Sequence, residues 1–405
     1  MARGLKLIFV LMMASLLMPA FVSAQSNSED FDILLALTQQ DMEMNWWFSV
    51  PASFVPIVSP VEKVKKKEYF KILPIYNHYG VSDDNEIKIT YDIDIFRPDG
   101  STYESIKSIN GYEGEATGPY LLPSIGMIMV CFEPEDPYGE YTVKVTAYDH
   151  IKNQQASRSQ KIVLEKFNLD QQVVDLNDWF LNYPVRPKPS LALSAFTSSA
   201  RAYIDEKGLP LWSALWLYKN IYDDNDFLIP HTVDFYKNPA NEQQKKDILL
   251  LFHLLGKIDR LPIQDTTKDY LSFLETIYVP DPYDEITSGI QLDMLWAEYF
   301  ATSRVKPIRQ ILTALNLSSN MGTIEKIKAG EVDKTSEDIQ RKVLLEAVFQ
   351  SALWSINSNC KQSRLVFHYC VGLYESDDLN PVEKRVLGMI LQRVVDENNN
   401  GEKKG

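Results

Sequence analysis

The chain has 405 residues, and its 41 basic side chains stand against 55 acidic ones, for a formal charge of −14 at pH 7. An acidic excess of this size repels phosphate backbones and anionic membrane surfaces, which argues against nucleic acid as a partner. Hydrophobic residues make up 45% of the chain, enough for large buried cores, and the length suits two or three domains.

Arg3 and Lys6 precede an apolar run from Leu7 to Leu17, and Val22-Ser23-Ala24 supplies a small-x-small ending. This is the pattern of a secretory signal over residues 1–24, cleaved after Ala24. A membrane anchor needs about 20 apolar residues, and Pro19 interrupts this run. Cleavage leaves 39 basic against 55 acidic side chains. No second long apolar run follows, so no membrane span is expected after cleavage. The expected location is the periplasm or the cell exterior.

Residues 25–67 read as an N-terminal extension. Phe31, Leu34 and Leu35 suit a short amphipathic helix over 31–37. Trp46, Trp47 and Phe48 follow, then Pro51, Pro56 and Pro60. Trp46 and Trp47 are candidates for an exposed stacking platform. The more ordinary role of such aromatics is to fix an irregular segment onto the next domain. Lys63 to Lys67 reads as a solvated charged face.

From residue 68 to 166 the pattern is β. Phe70 to Ile75 is one run. In Glu86 to Phe96, Ile87, Ile89, Tyr91, Ile93 and Ile95 share one face of a strand. Arg97-Pro98-Asp99-Gly100 is a turn, because proline presets φ and glycine accepts positive φ. Met127 to Phe132 is a third strand. In Gly139 to Asp149, Tyr141, Val143, Val145 and Ala147 alternate with polar neighbours. A polar loop is expected next, then a strand over Gln160 to Glu165. Short strands and turns over about 100 residues imply an antiparallel sandwich. The Pro98-Asp99-Gly100 turn after a long alternating strand, and Asp136 to Asp149 with its Gly-x-Tyr start, resemble immunoglobulin-like modules of exported bacterial proteins. The resemblance implies a β-sandwich and leaves function open, since such modules host many roles. The cysteine pair of antibody domains is absent, because Cys131 has no partner within the module.

After Leu169 the period becomes helical, with Val173, Leu176 and Phe180 in step. Residues 167–189 read as a connecting helix and a linker, stiffened by Pro184, Pro187 and Pro189. Residues 190–397 read as an all-α domain. Helices are expected over 190–206, 210–222, 241–256, 268–278, 290–302, 306–315, 336–357, 364–374 and 381–397. Leu249 to Leu254 is apolar almost all round, which marks a central helix. Leu292, Leu295, Trp296 and Tyr299 lie at i, i+3, i+4, i+7 and read as one buried face. Residues 398–405 read as a disordered tail. The expected fold class is therefore α+β multidomain: an N-terminal immunoglobulin-like antiparallel β-sandwich followed by an all-α helical-hairpin array or bundle.

Asp281, Asp284 and Glu285, with Asp293 and Glu298 downstream, form the densest acidic cluster. Paired carboxylates are what glycoside hydrolysis needs, but Asp284 and Glu285 equally suit the first turn of a helix. His231 could be oriented by Asp234, yet no Gly-x-Ser-x-Gly elbow or HExxH accompanies it. His253 reads as a core histidine. Asp396, Asn398 and Asn400 open like a calcium loop, but the chain ends before its twelfth position. Cys360 and Cys370 are the candidate disulfide, across a helix–loop–helix junction, with Cys131 left as a buried thiol. No zinc spacing is present, and no cofactor is expected. This pattern points to an exported non-enzymatic binding or structural protein with a protein or glycan partner in the cell envelope. The alternatives are an envelope glycan or peptide hydrolase using helical-domain carboxylates, and a secreted host-interaction factor.

Overall fold

Strict alternation of apolar and polar side chains builds the first half of the fold. The computed structural model describes residues 30–40, 47, 58–116, 121–168, 175–198, 203, 211–239, 241–263 and 268–402. The signal-like segment 1–24 and its cleavage site, Trp46, and residues 403–405 lie outside these. Nine strands are described: β1 (Asp32–Thr38), β2 (Lys63–Val64), β3 (Phe70–Asn77), β4 (Glu86–Phe96), β5 (Thr102–Glu115), β6 (Leu122–Pro123), β7 (Ile128–Val130), β8 (Gly139–Asp149) and β9 (Gln154–Leu164). One sheet runs β1-β3-β6, with β7 also on β3. The other runs β2-β9-β8-β4-β5. All described pairings are antiparallel except β2 with β9.

Both sheets contribute to one core. Ile33, Leu35 and Leu37 of β1 and Phe70, Ile72 and Tyr76 of β3 meet Ile87 to Ile95 of β4, Tyr141 to Ala147 of β8, and Ile162 and Leu164 of β9. At the start of β8 the buried Tyr141 donates its hydroxyl to the Pro137 carbonyl at 2.9 Å, four residues upstream. Gly139 has φ +141°, and a Cβ there would stand 2.8 Å from Pro98 Cγ. The turn at 97–100 forms as expected, with the Gly100 N–H on the Arg97 carbonyl at 2.9 Å and φ +83° at Gly100.

Three expectations for this half need correction, and one strand, β5, was not expected. The stretch 31–37 falls on the strand β1 from Asp32 onward, not on a helix: β3 supplies a ladder from Asp32↔Asn77 to Thr38↔Lys71, and only a period of two buries Ile33, Leu35 and Leu37 together. Within the stretch 25–67, expected as an extension, β1 and β2 instead pair into the two sheets. The polar stretch before Gln160 is already strand from Gln154, because β8 pairs with its backbone whatever its side chains. Strand β5 has no simple alternation, and it pairs with β4 through three register shifts, with Ser108 at positive φ.

The second half is helical: α1 (Leu176–Asn182), α2 (Ala192–Ser198), α3 (Trp212–Asp223), α4 (Leu228–Lys237), α5 (Glu242–Leu254), α6 (Lys268–Leu274), α7 (Gly289–Thr302), α8 (Val305–Thr313), α9 (Thr323–Lys328), α10 (Glu337–Gln362), α11 (Arg364–Glu375) and α12 (Pro381–Glu402). None of these is long and apolar enough to cross a membrane. One core gathers Trp179, Phe196, Tyr218 and the fully buried run Ile248 to Phe252 of α5. A second gathers Ile308 and Ile311 of α8, Phe349 and Ile356 of α10, and Leu387 of α12. Helix α7 serves both: Met294, Ala297 and Ala301 face the first, and Leu292, Leu295, Trp296 and Tyr299 face the second.

Helix α4 was not expected from the pattern. Pro230 sits in its first turn, where the missing N–H is harmless. The proline-rich stretch 182–190 is not an extended spacer. Tyr183, Pro184 and Pro189 are buried, and Ser303 Oγ donates to the Pro184 carbonyl at 2.5 Å. The tail expected to be disordered continues α12 to Glu402, so Asp396, Asn398 and Asn400 lie on a helix and cannot form a calcium loop.

Two substitutions check this account. Leu295→Ala, in the shared helix, should cost about 2–5 kcal/mol in urea unfolding, as fully buried leucines do. Tyr141→Phe should cost about 1 kcal/mol, the net value of one hydrogen bond, with an unchanged circular dichroism spectrum. A change under a few tenths of a kcal/mol in either would contradict the packing described.

Candidate functional site

The acidic cluster lies on the loop that links α6 to α7, and this loop is pinned from behind. Asp281 Oδ1 accepts the Tyr283 N–H at 2.8 Å, which closes a turn. Ser288 caps α7, and Gln291 completes a capping box with it. Gln291 Nε2 also donates to the carbonyls of Asp281 at 3.1 Å and Glu285 at 3.2 Å. From α8, Gln310 Nε2 donates to the carbonyls of Tyr283 at 3.2 Å and Asp284 at 3.1 Å. Tyr283 donates its hydroxyl to Glu298 Oε1 at 2.6 Å, and Trp216 Nε1 of α3 donates to Oε2 at 3.2 Å. Burial first, and Glu298 second, push the Tyr283 hydroxyl far above the usual phenol range, so it stays a donor. Lys306 lies 4.1 Å over the Tyr283 ring.

With its backbone held this way, the loop leaves Asp281, Asp284 and Glu285 exposed. Among the described residues none of the three takes part in an ion pair. They line a cleft of about 830 Å³ whose apolar wall includes Trp212, Phe273, Tyr278 and Ile290. Tyr278 is 78% exposed. Among the described residues no lysine or arginine lines this cleft. The arrangement can neutralise a cation and cover a flat apolar face at once.

The other predicted positions fall elsewhere. Asp284 and Glu285 precede the Ser288 cap, so they are not first-turn acids of α7. Glu298 is taken up by Tyr283 and Trp216, and Asp293 is not among the cleft-lining residues. Trp47 is buried against Leu73 and Ile75, and its Nε1 donates to the Leu121 carbonyl at 3.1 Å. Its ring is buried against the sheet and offers no exposed platform. Within Lys63 to Lys67, Lys65 is buried, with Nζ 2.6 Å from Glu165 Oε1. That run is therefore not wholly a solvated face. The His231 ring stacks on Phe167 at 3.8 Å between centroids, and Asp234 pairs with Lys237 at 2.7 Å. Burial holds the His231 imidazole below its ordinary range.

All three cysteines are free. Cys360 lies within α10, not in a loop, and only Ser363 separates α10 from α11. Both Cys360 and Cys370 are buried. The neighbouring Cys360 thiol, and then burial, hold the Cys370 thiol well above the ordinary range. Cys131 is half-buried, not buried. Among the described residues no group of three His, Cys, Asp or Glu side chains could hold a metal ion. Trp212 and Tyr278 are the site residues that sequence reasoning missed. The Ser288-x-x-Gln291 box was the one available signal for a fixed loop.

No family model matches the chain, and no curated protein matches it. Among solved structures it is similar to the crystal structure of a family 76 glycoside hydrolase from a bovine Bacteroides thetaiotaomicron strain, at 10% identity and a TM-score of 0.17, covering 81% of this chain and 87% of that one. A likeness at that TM-score carries no argument about fold or function.

Gln291→Ala should remove the capping box and free two loop carbonyls. The expected cost is about 1–2 kcal/mol, with faster amide exchange across 281–287. Unchanged exchange there would mean that Gln291 does not hold the loop.

Proposed function

We propose that this chain is an exported, non-enzymatic binding protein. Its ligand is a basic, partly apolar segment of a partner protein, taken in the cleft between the 280–288 loop and Tyr278. The observation that carries this reading is three exposed carboxylates on a pinned loop, with no ion pair among the described residues, lining one cleft with the exposed rings of Phe273 and Tyr278. Charges left without partners inside the chain are available to a partner outside it. Export is supported by the n-region, apolar run and small-residue ending of residues 1–24.

The two sheets are read as an immunoglobulin-like module. The support is the order β2-β9-β8-β4-β5, its otherwise antiparallel pairing, and the Tyr141 hydroxyl returned to Pro137, which has the form of a tyrosine corner. In this reading the module carries the helical part, and binding belongs to the helices. The same three carboxylates on one cleft are what favours the alternative, a glycan or peptide hydrolase.

Calorimetry with a short Lys- and Trp-containing peptide separates the two. The chain should bind it, more weakly as salt rises. Asp284→Asn with Glu285→Gln should lose about tenfold in affinity, or 1.4 kcal/mol. Equal affinity for an acidic peptide of the same length would overturn the proposal. Turnover of envelope glycan or peptide that disappears in the double variant would favour the hydrolase.

Export also places Cys360 and Cys370 in an oxidising compartment, where adjacent thiols pair. Thiol counting under denaturing, non-reducing conditions should find one free thiol in exported protein, mapped to Cys131. Three free thiols would speak against both the pairing and the oxidising location.

A further inference from the structure

Helix α10 keeps one long face in solvent. Its other side enters the second core through Val348, Phe349, Ala352, Ile356 and Cys360. On the solvent side Leu344 is 63% exposed and Trp354 is 67% exposed. Single exposed apolar side chains need no explanation, but these two belong to one stripe. From Glu337 to Lys361, alternating steps of three and four residues lead through Leu344, Ala347, Ser351 and Trp354. All six of these side chains are exposed. The spacing is that of a coiled-coil seam, which the chain itself does not cover.

The stripe is complementary to its own reverse. In an antiparallel pair of α10 helices with a two-fold axis at the level of Phe349, residues equally far from Phe349 meet. Ala347 then faces the partner's Ser351, and Leu344 faces the partner's Trp354. Small residues at the centre let the backbones approach, and an apolar pair closes on either side of them. At the ends Glu337 faces the partner's Lys361. Lys361 pairs with Glu397 of α12, whose other oxygen takes Arg393 at 3.0 Å. Two cations against one anion leave that end positive, which suits Glu337. The other charges of α10 do not oppose one another. Asp338 pairs with Lys342 at 2.6 Å, Glu346 is buried on the Gly322 and Ile324 N–H groups, and Arg341 falls opposite the partner's Asn357. A parallel pair would set Glu337 against Glu337 and Lys361 against Lys361, and like charges in register are costly.

We propose that the chain forms a two-fold dimer through this face, with two α10 helices packed antiparallel and Trp354 seated on the partner's Leu344. The seam from Glu337 to Lys361 is about 36 Å long. Such a contact is isologous and closes on itself, because the same patch serves both copies. Each Leu344–Trp354 contact occurs twice, so the seam has aromatic anchors on both sides of its centre and charged pairs at its rims, the usual anatomy of an interface. No described residue of α10 lines the cleft of the 280–288 loop, so the dimer carries two clefts outside its seam.

Sedimentation velocity and carbodiimide cross-linking test this. The chain should be a dimer at about 10 µM and dissociate on dilution. Trp354→Glu should be monomeric at the same concentration with an unchanged circular dichroism spectrum, because Trp354 is exposed within one copy. Glu337→Lys should weaken dimerisation about tenfold. Carbodiimide joins an amine to a carboxylate without a spacer, and mass spectrometry of the dimer should find Lys361 joined to Glu337. Within one chain these residues lie about 36 Å apart on a single helix, so that link forms only between copies. A wild-type monomer at this concentration, a dimer that survives Trp354→Glu, or a dimer without the Lys361–Glu337 link would each overturn the proposal. The wild-type cross-link alone decides if the variants do not fold.

Discussion

Helix α7 buries two faces, and the position of the candidate site follows from that. Met294, Ala297 and Ala301 recur at i, i+3, i+7 on one side. Leu292, Leu295, Trp296 and Tyr299 recur at i, i+3, i+4, i+7 on the other. A helix held between two close-packed cores cannot shift without opening a cavity in one of them. Its N-terminus is therefore a fixed point. Ser288 and Gln291 transmit that fixity to the loop, and Gln310 of α8, itself seated on the second core, holds the loop's other side. The exposed carboxylates owe their positions to apolar residues they never touch.

Much of this frame was legible in the sequence. The bounds of β4 and β8 follow from alternation alone, and the Leu292-Leu295-Trp296-Tyr299 face follows from helical spacing. The opposite face of α7 was not legible, because methionine and alanine give a weak apolar signal that only neighbouring helices make meaningful. Strand β1 was misread since Phe31, Leu34 and Leu35 fit a helix as well as Ile33, Leu35 and Leu37 fit a strand. The tie is broken by β3, a partner well over thirty residues away in the chain. Strand β5 is an edge strand with bulges, where one neighbour and solvent impose little pattern.

For the site, the acids were visible and the cleft was not. Asp281, Asp284 and Glu285 stand close in sequence. Trp212 reaches the same cleft from the start of α3 and Tyr278 from beyond α6, so no local window contains the wall. The roles of Gln291 and Gln310 were equally hidden. A glutamine that donates to main-chain carbonyls leaves no compositional trace.

The buried acids and the cleft acids obey one rule with opposite results. Glu346 accepts the N–H groups of Gly322 and Ile324 at the start of α9. Glu383 accepts from Asn316 and the Asn380 N–H, and faces Arg309 at 3.3 Å. The half-buried Glu298 is met by Tyr283 and Trp216. A carboxylate taken out of water must recover its lost hydration from donors, and each of these does. Asp281, Asp284 and Glu285 stay exposed to solvent, so the fold has no need to give them ion pairs. A ligand that displaces that solvent must bring its own donors and positive charge. Glu68 lies between the two cases. It is fully buried with donors from Gln39 and the Lys65 N–H, and burial, against the pull of those donors, pushes its carboxyl up to about 7. The distribution of donors, more than the count of acids, separates the carboxylates that hold this chain together from those left to meet something else.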